Sequence, residues 1–234
     1  MRIAFCFSAH MRKYKNYFND YIDNVYYPLS KLGEIDVFIH TWDTLGPKHS
    51  WHTFSTGTEG LDLIKTDPIE IANFYNPKTL FIENYEKTKP ILYLKNYTHK
   101  KPGTPALYQE GICSTTVSYY KIWACNELKK DAERRGGFKY DIVVRLRPDM
   151  RYTKFRIDRM DFKNVYVQYH RDGVTFDQFA IGGSAAMDVY SNCFARIGRI
   201  YQDDFDFGGE RTLWRHIALG GVDIGEMEDL IASK

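Results

Sequence analysis

The sequence contains no CxxC pair, no apolar run long enough to cross a membrane, no block of like charge and no internal repeat. Each absence removes a class of function. The four cysteines, Cys6, Cys113, Cys125 and Cys193, are widely scattered, which argues against a zinc site. Cys6 lies in an apolar run and Cys125 in a helical pattern, so both read as small core residues, which suits a reducing compartment. The apolar stretches fall short of a membrane span. The one at the start of MRIAFCFSAHMRKY is too short for a signal peptide and reads as a first strand. A cytoplasmic location is therefore expected, and the NYT sequon at Asn96 carries little meaning without an export signal. The net charge is only +2, and no basic tract resembles a nucleic-acid-binding arm.

Aromatic residues are plentiful: 18 Tyr, 15 Phe and 4 Trp. They fit a tyrosine-rich core and surface, or a site that stacks flat ligands such as sugars or bases. A chain of 234 residues, 44% hydrophobic, can bury one sizeable core.

Strand and helix patterns alternate along most of the chain. Ile3 to Phe7 predicts a buried parallel strand whose C-terminal loop is SAHMR. Tyr14, Phe18, Tyr21, Ile22, Val25 and Leu29 keep helical spacing, and Pro28 and Gly33 mark that helix's end. IDVFIHTW from Ile35 predicts a second strand, and Thr79 to Ile82 a third. Residues 43–105 otherwise read as an irregular insertion or lid. Leu107 to Arg135 is the longest helical pattern, closed by RRGG. Strands follow at Ile142 to Leu146, Val165 to Val167 and around Phe176 to Ile181. SAAMDVYSNCFARIGRIY reads as a helix, and GGERTLWRHIAL as a last one beginning near Gly209. This order implies an α/β fold with a largely parallel central sheet flanked by helices, in one domain spanning 1–234.

In such a sheet, ligands bind beyond the C-terminal ends of the strands. Three of those ends are polar: SAHMR, HTW and RLRPD. They should gather Ser8, His10, Arg12, His40, Arg145, Arg147 and Asp149. In YDIVVRLRPDM, Pro148 cannot continue a central strand, so the chain turns and Asp149 should face the crevice. A carboxylate there can hold a divalent cation. Arg145 and Arg147, two apart, share one side of the strand and suit phosphate, which each guanidinium can bind bidentately. An Arg–Asp pair that merely caps the sheet is the plainer alternative.

MRIAFCFSAHMR, IDVFIHTW, YDIVVRLRPDM, DQFAIGGSAAMDVYS and GGERTLWRHI, in that order, resemble a family of small nucleotide-sugar glycosyltransferase-like proteins. These occur in bacterial surface-polysaccharide loci and in large DNA viruses of algae. The resemblance covers most of the chain outside 43–105. It implies a GT-A fold, one Rossmann-like domain with an NDP-sugar, UDP-sugars favoured, at the strand ends. It places RPD where such enzymes carry Asp-x-Asp, so Asp149 would match the last aspartate and hold Mn²⁺ or Mg²⁺. Arg147 stands where the first aspartate would be, and could neutralise diphosphate directly. Phe7 to Arg12 would hold base and ribose; an ordinary strand–helix turn is the alternative. If the chain is viral, its compartment is the host cytoplasm.

FDQFAIGGS offers Asp177 as acceptor ligand or general base, with Gln178 beside it and two glycines that permit close backbone approach. Glu210 is the rival base, or a first-turn glutamate favoured by the helix dipole. Trp42 can stack on an acceptor sugar; His49, Trp51 and His52 add rings nearby. Asp203, Asp204 and Asp206 read as a solvated loop, and His216 as a packing or surface histidine. The reaction expected is inverting transfer to a glycan hydroxyl. A nucleotidyltransferase and a non-catalytic glycan or nucleotide binder are the alternatives.

Overall fold

The computed structural model describes residues 1–46, 60–61, 63–97, 106–202 and 209–227. Among them, β1 (Arg2–Ser8) is followed by α1 (Tyr14–Tyr21), a π-helical segment Ile22–Tyr26, and α2 (Tyr27–Ser30). Next come β2 (Glu34–Trp42), α3 (Pro68–Tyr75), β3 (Thr79–Glu83), α4 (Tyr85–Tyr97), the long α5 (Ala106–Gly136) and β4 (Ile142–Leu146). The C-terminal part holds β5 (Val165–Val167), β6 (His170–Arg171), β7 (Val174–Thr175) and β8 (Ala180–Gly182). After these come α6 (Ser184–Ser191), α7 (Cys193–Gln202), α8 (Gly209–Leu219) and β9 (Ile224–Glu226).

Seven strands form one sheet in the order β3-β2-β1-β4-β8-β5-β9. Every neighbouring pair is parallel except those made by β8, which runs against both β4 and β5. The chain is thus a mixed α/β protein with a Rossmann-like, mostly parallel sheet, as the alternating pattern implies. β1 and β4 lie at its centre and are buried on both faces, almost wholly by apolar side chains, with Arg145 of β4 the charged exception. Ile3, Phe5, Phe7, Ile142, Val144 and Leu146 pack under Tyr14, Tyr21, Val25 and Leu29 of the first helical stretch and Ile71 and Tyr75 of α3. Ala4, Cys6 and Val143 pack under α5, α6, α7 and α8. Burying each large apolar side chain contributes about 1.5–3 kcal/mol, and this sandwich holds the central strand ends in place.

Several boundaries differ from the sequence reading. The described part of 43–105 is not irregular. It holds α3, α4 and the edge strand β3, which belongs to the main sheet. α3 has a clear start signal: the Asp67 carboxylate accepts from the Ile69 and Glu70 amides, with Pro68 in the first turn. α4 contains Pro90, which hides it from periodicity. The expected strand around Phe176 to Ile181 begins only at Ala180, because residues 177–178 bend. The helix expected over SAAMDVYSNCFARIGRIY is two, α6 and α7, joined at Asn192. Asp172 and Gly173, both at positive φ, make the tight turn of the β6–β7 hairpin. Residues 47–59, with His49, Trp51 and His52, and 203–208, with the acidic run, lie outside the described residues.

Gly182 and Gly183 are tight for a structural reason. A Cβ on Gly182 would lie 2.6 Å from the Asn164 carbonyl, and one on Gly183 2.6 Å from that of Phe162. The close approach expected of this pair is therefore to the chain's own backbone before β5.

Candidate anion site at the ends of the central strands

From β1 the chain moves to one side for β2 and β3, then crosses back to β4 on the other side. The loops leaving β1 and β4 diverge here, and such a switch point is where open α/β sheets hold ligands. β8 is antiparallel, so it begins at the edge where β4 ends. This brings the loop carrying Asp177 and Gln178 to the same rim.

Across this point Arg12 Nε donates to Asp149 Oδ2 at 2.5 Å. Arg147 donates from Nε to Oδ1 at 3.0 Å and from Nη2 to Oδ2 at 2.9 Å, a bidentate pair. Tyr152 donates its phenol hydrogen to the Arg147 carbonyl and pins the turn around Pro148. Burial alone would raise the Asp149 pKa. Arg147 and then Arg12 outweigh it and hold the carboxyl at about 2. The Asp149 side chain keeps 10% of its surface exposed, against 19% for each arginine.

Arg145 does not join this cluster, which corrects its expected place beside phosphate. Its guanidinium is buried and donates to the backbone carbonyls of Gln178 and Ser8. It ties the entry of β8 to the exit of β1. Phe7 is likewise corrected: its ring packs on Tyr21 and Tyr75 in the core and offers nothing to a base. Ser8 is buried at the strand end, and its Oγ has no hydrogen-bond partner. His10 is buried too. Its Nδ1–H donates to the Thr44 carbonyl at 3.0 Å, and burial lowers its pKa to about 3.

His40 and Trp42 belong to a different, enclosed cluster that the sequence reading missed. Lys121 of α5, 1% exposed, donates to His40 Nδ1 at 3.0 Å, the Thr41 carbonyl at 3.0 Å and Glu83 Oε2 at 2.9 Å. These three acceptors match the three N–H groups of an ammonium. The same Nζ lies 3.4 Å from the Trp42 ring centroid. Burial lowers the Lys121 pKa to about 7 against the pull of Glu83, and burial lowers His40 to about 3. Trp42 is fully buried under this cation and cannot stack on an acceptor, and His40 is occupied by Lys121 and Phe81. The available signal was a lysine on the Val117–Lys121–Cys125 stripe, a spacing of four that faces the core.

Asp177 and Glu210 are brought together. Burial raises the Glu210 pKa first, and the Asp177 charge adds to it. Asp177 also acts electrostatically on Arg147, which places it near the end of β4 as well as near Glu210. Tyr190 donates to the Asp177 carbonyl at 3.4 Å and steadies that loop. His216, by contrast, is buried packing, with Nε2–H donating to the Val189 carbonyl.

The implied Mn²⁺ or Mg²⁺ does not fit this arrangement of Asp149. Both carboxylate oxygens are engaged by guanidinium, and a cation beside them would face two fixed positive charges. At 4 Å and an effective dielectric of 20, even two unit charges repel by about 4 kcal/mol. Among the described residues, no three His, Cys, Asp or Glu side chains are placed to share an ion.

A hollow of about 740 Å³ lies at the opposite edge of the sheet, lined by Met1, Arg2, Ser30, Gly33, Glu34, Lys139 and Asp141. It carries charges of both signs, and it contains none of the candidate residues. No helix among the described residues is long and apolar enough to cross a membrane. No protein-family model matches the chain, and no curated protein matches it.

Proposed function

We propose that the chain is a glycosyltransferase that moves a monosaccharide from a nucleotide-diphosphate sugar, UDP-sugars foremost, to a hydroxyl of a glycan acceptor. The observation that carries this reading is the pair of guanidiniums, Arg12 and Arg147, held across the switch point by one shared carboxylate. Charge develops on the leaving diphosphate during transfer, and fixed donors aimed at such charge are the largest common source of rate. Losing one typically costs 10²–10³-fold in turnover.

On the same rim, Asp177 and Glu210 supply a base for the acceptor hydroxyl. Burial and the neighbouring Asp177 raise the Glu210 pKa, towards the range that suits a general base, so Glu210 takes that role and Asp177 orients the acceptor beside Gln178. Activation of the acceptor by a base corresponds to inversion at the anomeric carbon.

The test is a panel of UDP-, GDP- and CMP-sugars with glycan acceptors, reading nucleotide release and the anomeric proton coupling of the product by NMR. Release of NDP with inversion is expected. Pyrophosphate release from an NTP would make the chain a nucleotidyltransferase, binding without turnover would make it a lectin-like or nucleotide-binding protein, and a retained configuration would remove the base role from both carboxylates.

A further inference from the structure

The donor set at the switch point is wrong for a cation and right for an anion. Asp149 uses Oδ2 to reach both arginines and Oδ1 to complete the second fork, so one small side chain fixes the spacing of two cations that come from different loops. Of the five N–H groups on each guanidinium, Arg12 uses one in this contact and Arg147 two. The remaining groups have no protein partner among the described residues, and both side chains keep a part of their surface in solvent. The trio carries a net charge of +1, and the Ser8 hydroxyl at the end of β1 is a buried donor with no partner.

We infer that the partly exposed guanidiniums at this switch point hold the diphosphate of the ligand directly on Arg12 and Arg147, without a divalent cation, and that Asp149 is the positioning residue that keeps the two forks in register. This rests on the donor-site reading given above. It assigns Asp149 a role opposite to that of a metal ligand. The carboxylate faces protein cations, and the ligand meets the outer edges of the same cations. Two forks on a diphosphate also explain why arginine rather than lysine stands at both positions, because a lysine presents a single point charge.

Calorimetric titration of UDP, and separately of inorganic pyrophosphate, into the full chain tests this, first in EDTA and then in Mn²⁺ or Mg²⁺. The Kd should agree within about twofold between the buffers. Arg12→Lys and Arg147→Lys should each weaken binding about tenfold, about 1.4 kcal/mol, whereas Arg134→Ala, on the exposed end of α5, should change nothing. Asp149→Asn separates positioning from simple charge. It adds one positive charge, which alone would tighten an anion, whereas loss of register should weaken it about tenfold in protein whose circular dichroism shows it folded. Tightening by Asp149→Asn would overturn the positioning role. A Kd that falls tenfold or more on adding Mn²⁺ would overturn the cation-free mode and leave the transferase reading standing. The wild-type comparison of EDTA and Mn²⁺ decides this even if a variant does not fold. Absence of binding in both buffers would overturn the donor site and this inference together.

Discussion

Asp149 receives three hydrogen bonds from two guanidiniums and has only a tenth of its side-chain surface in solvent. Removing one partner from such a cluster leaves its cations uncompensated, so Asp149→Ala should cost about 3–5 kcal/mol of stability, measured by urea unfolding at pH 7. Its folded pKa is depressed, so the contribution is complete above the ordinary carboxyl range near 3.8 and is lost as pH falls through about 2. Among the described residues Glu210 makes no comparable contact, and on the transferase reading Glu210→Gln should leave UDP affinity unchanged while turnover falls 10²–10⁴-fold. The arrangement of Arg12, Arg147 and Asp149 was legible in SAHMR and RLRPD, because parallel neighbours bring their C-terminal loops together. The burial of Arg145 was not. Alternation places residues 145 and 147 on one side of an ideal strand, but the strand stops at Leu146, and only the first of the two arginines remains within the packed sheet. Phe7 and Trp42 failed as ligand contacts for the same reason, since both strand ends are still covered by helices.

Individual elements also have measurable weak points. The α6 end of β8 rests against the residues before β5, and Gly182→Ala would push a methyl into the Asn164 carbonyl. Overpacking of that kind costs about 1–3 kcal/mol, which a shift in melting temperature would read. At the far ends of β1 and β2, His10 and His40 are held neutral by burial. An unfolded chain protonates histidine below about 6.5, and the folded chain resists until about pH 3. Stability should therefore be independent of these groups above pH 6.5. Between pH 6.5 and 3 it should fall by roughly 1.4 kcal/mol per unit for each histidine, seen as a declining urea midpoint. Substituting either histidine should remove its share of the slope. Strands β1, β2 and β4 were readable because apolar runs covered on both faces are hard to mistake. The missed helices α3 and α4 lie at an edge with little apolar periodicity. β9 and the β6–β7 hairpin are too short for a pattern to register, although Asp172-Gly173 was a turn signal.

For the molecule as a whole, the prediction is one of linkage. A nucleotide that binds the folded chain at a hundred times its Kd stabilises it by about 2.7 kcal/mol. A scan of UDP-, GDP- and CMP-nucleotides should show one raising the melting temperature in EDTA, and the rise should vanish in Arg147→Met. The fold class was legible from the order of strands and helices alone. The reversed direction of β8 was not, because a three-residue apolar run says nothing about which way it points.

That reversed strand acts as a ruler. The pairs Val144↔Ile181 and Arg145↔Ala180 set where the chain before Ala180 hangs over the rim. Slipping the ladder by one residue would carry Asp177 about 3.4 Å and turn it to the opposite side. On the proposed transferase reading, one alanine inserted between Phe179 and Ala180 should therefore lower turnover more than it lowers stability. Two inserted alanines should restore the facing of the carboxylate but leave it too far from its arginine neighbours to work.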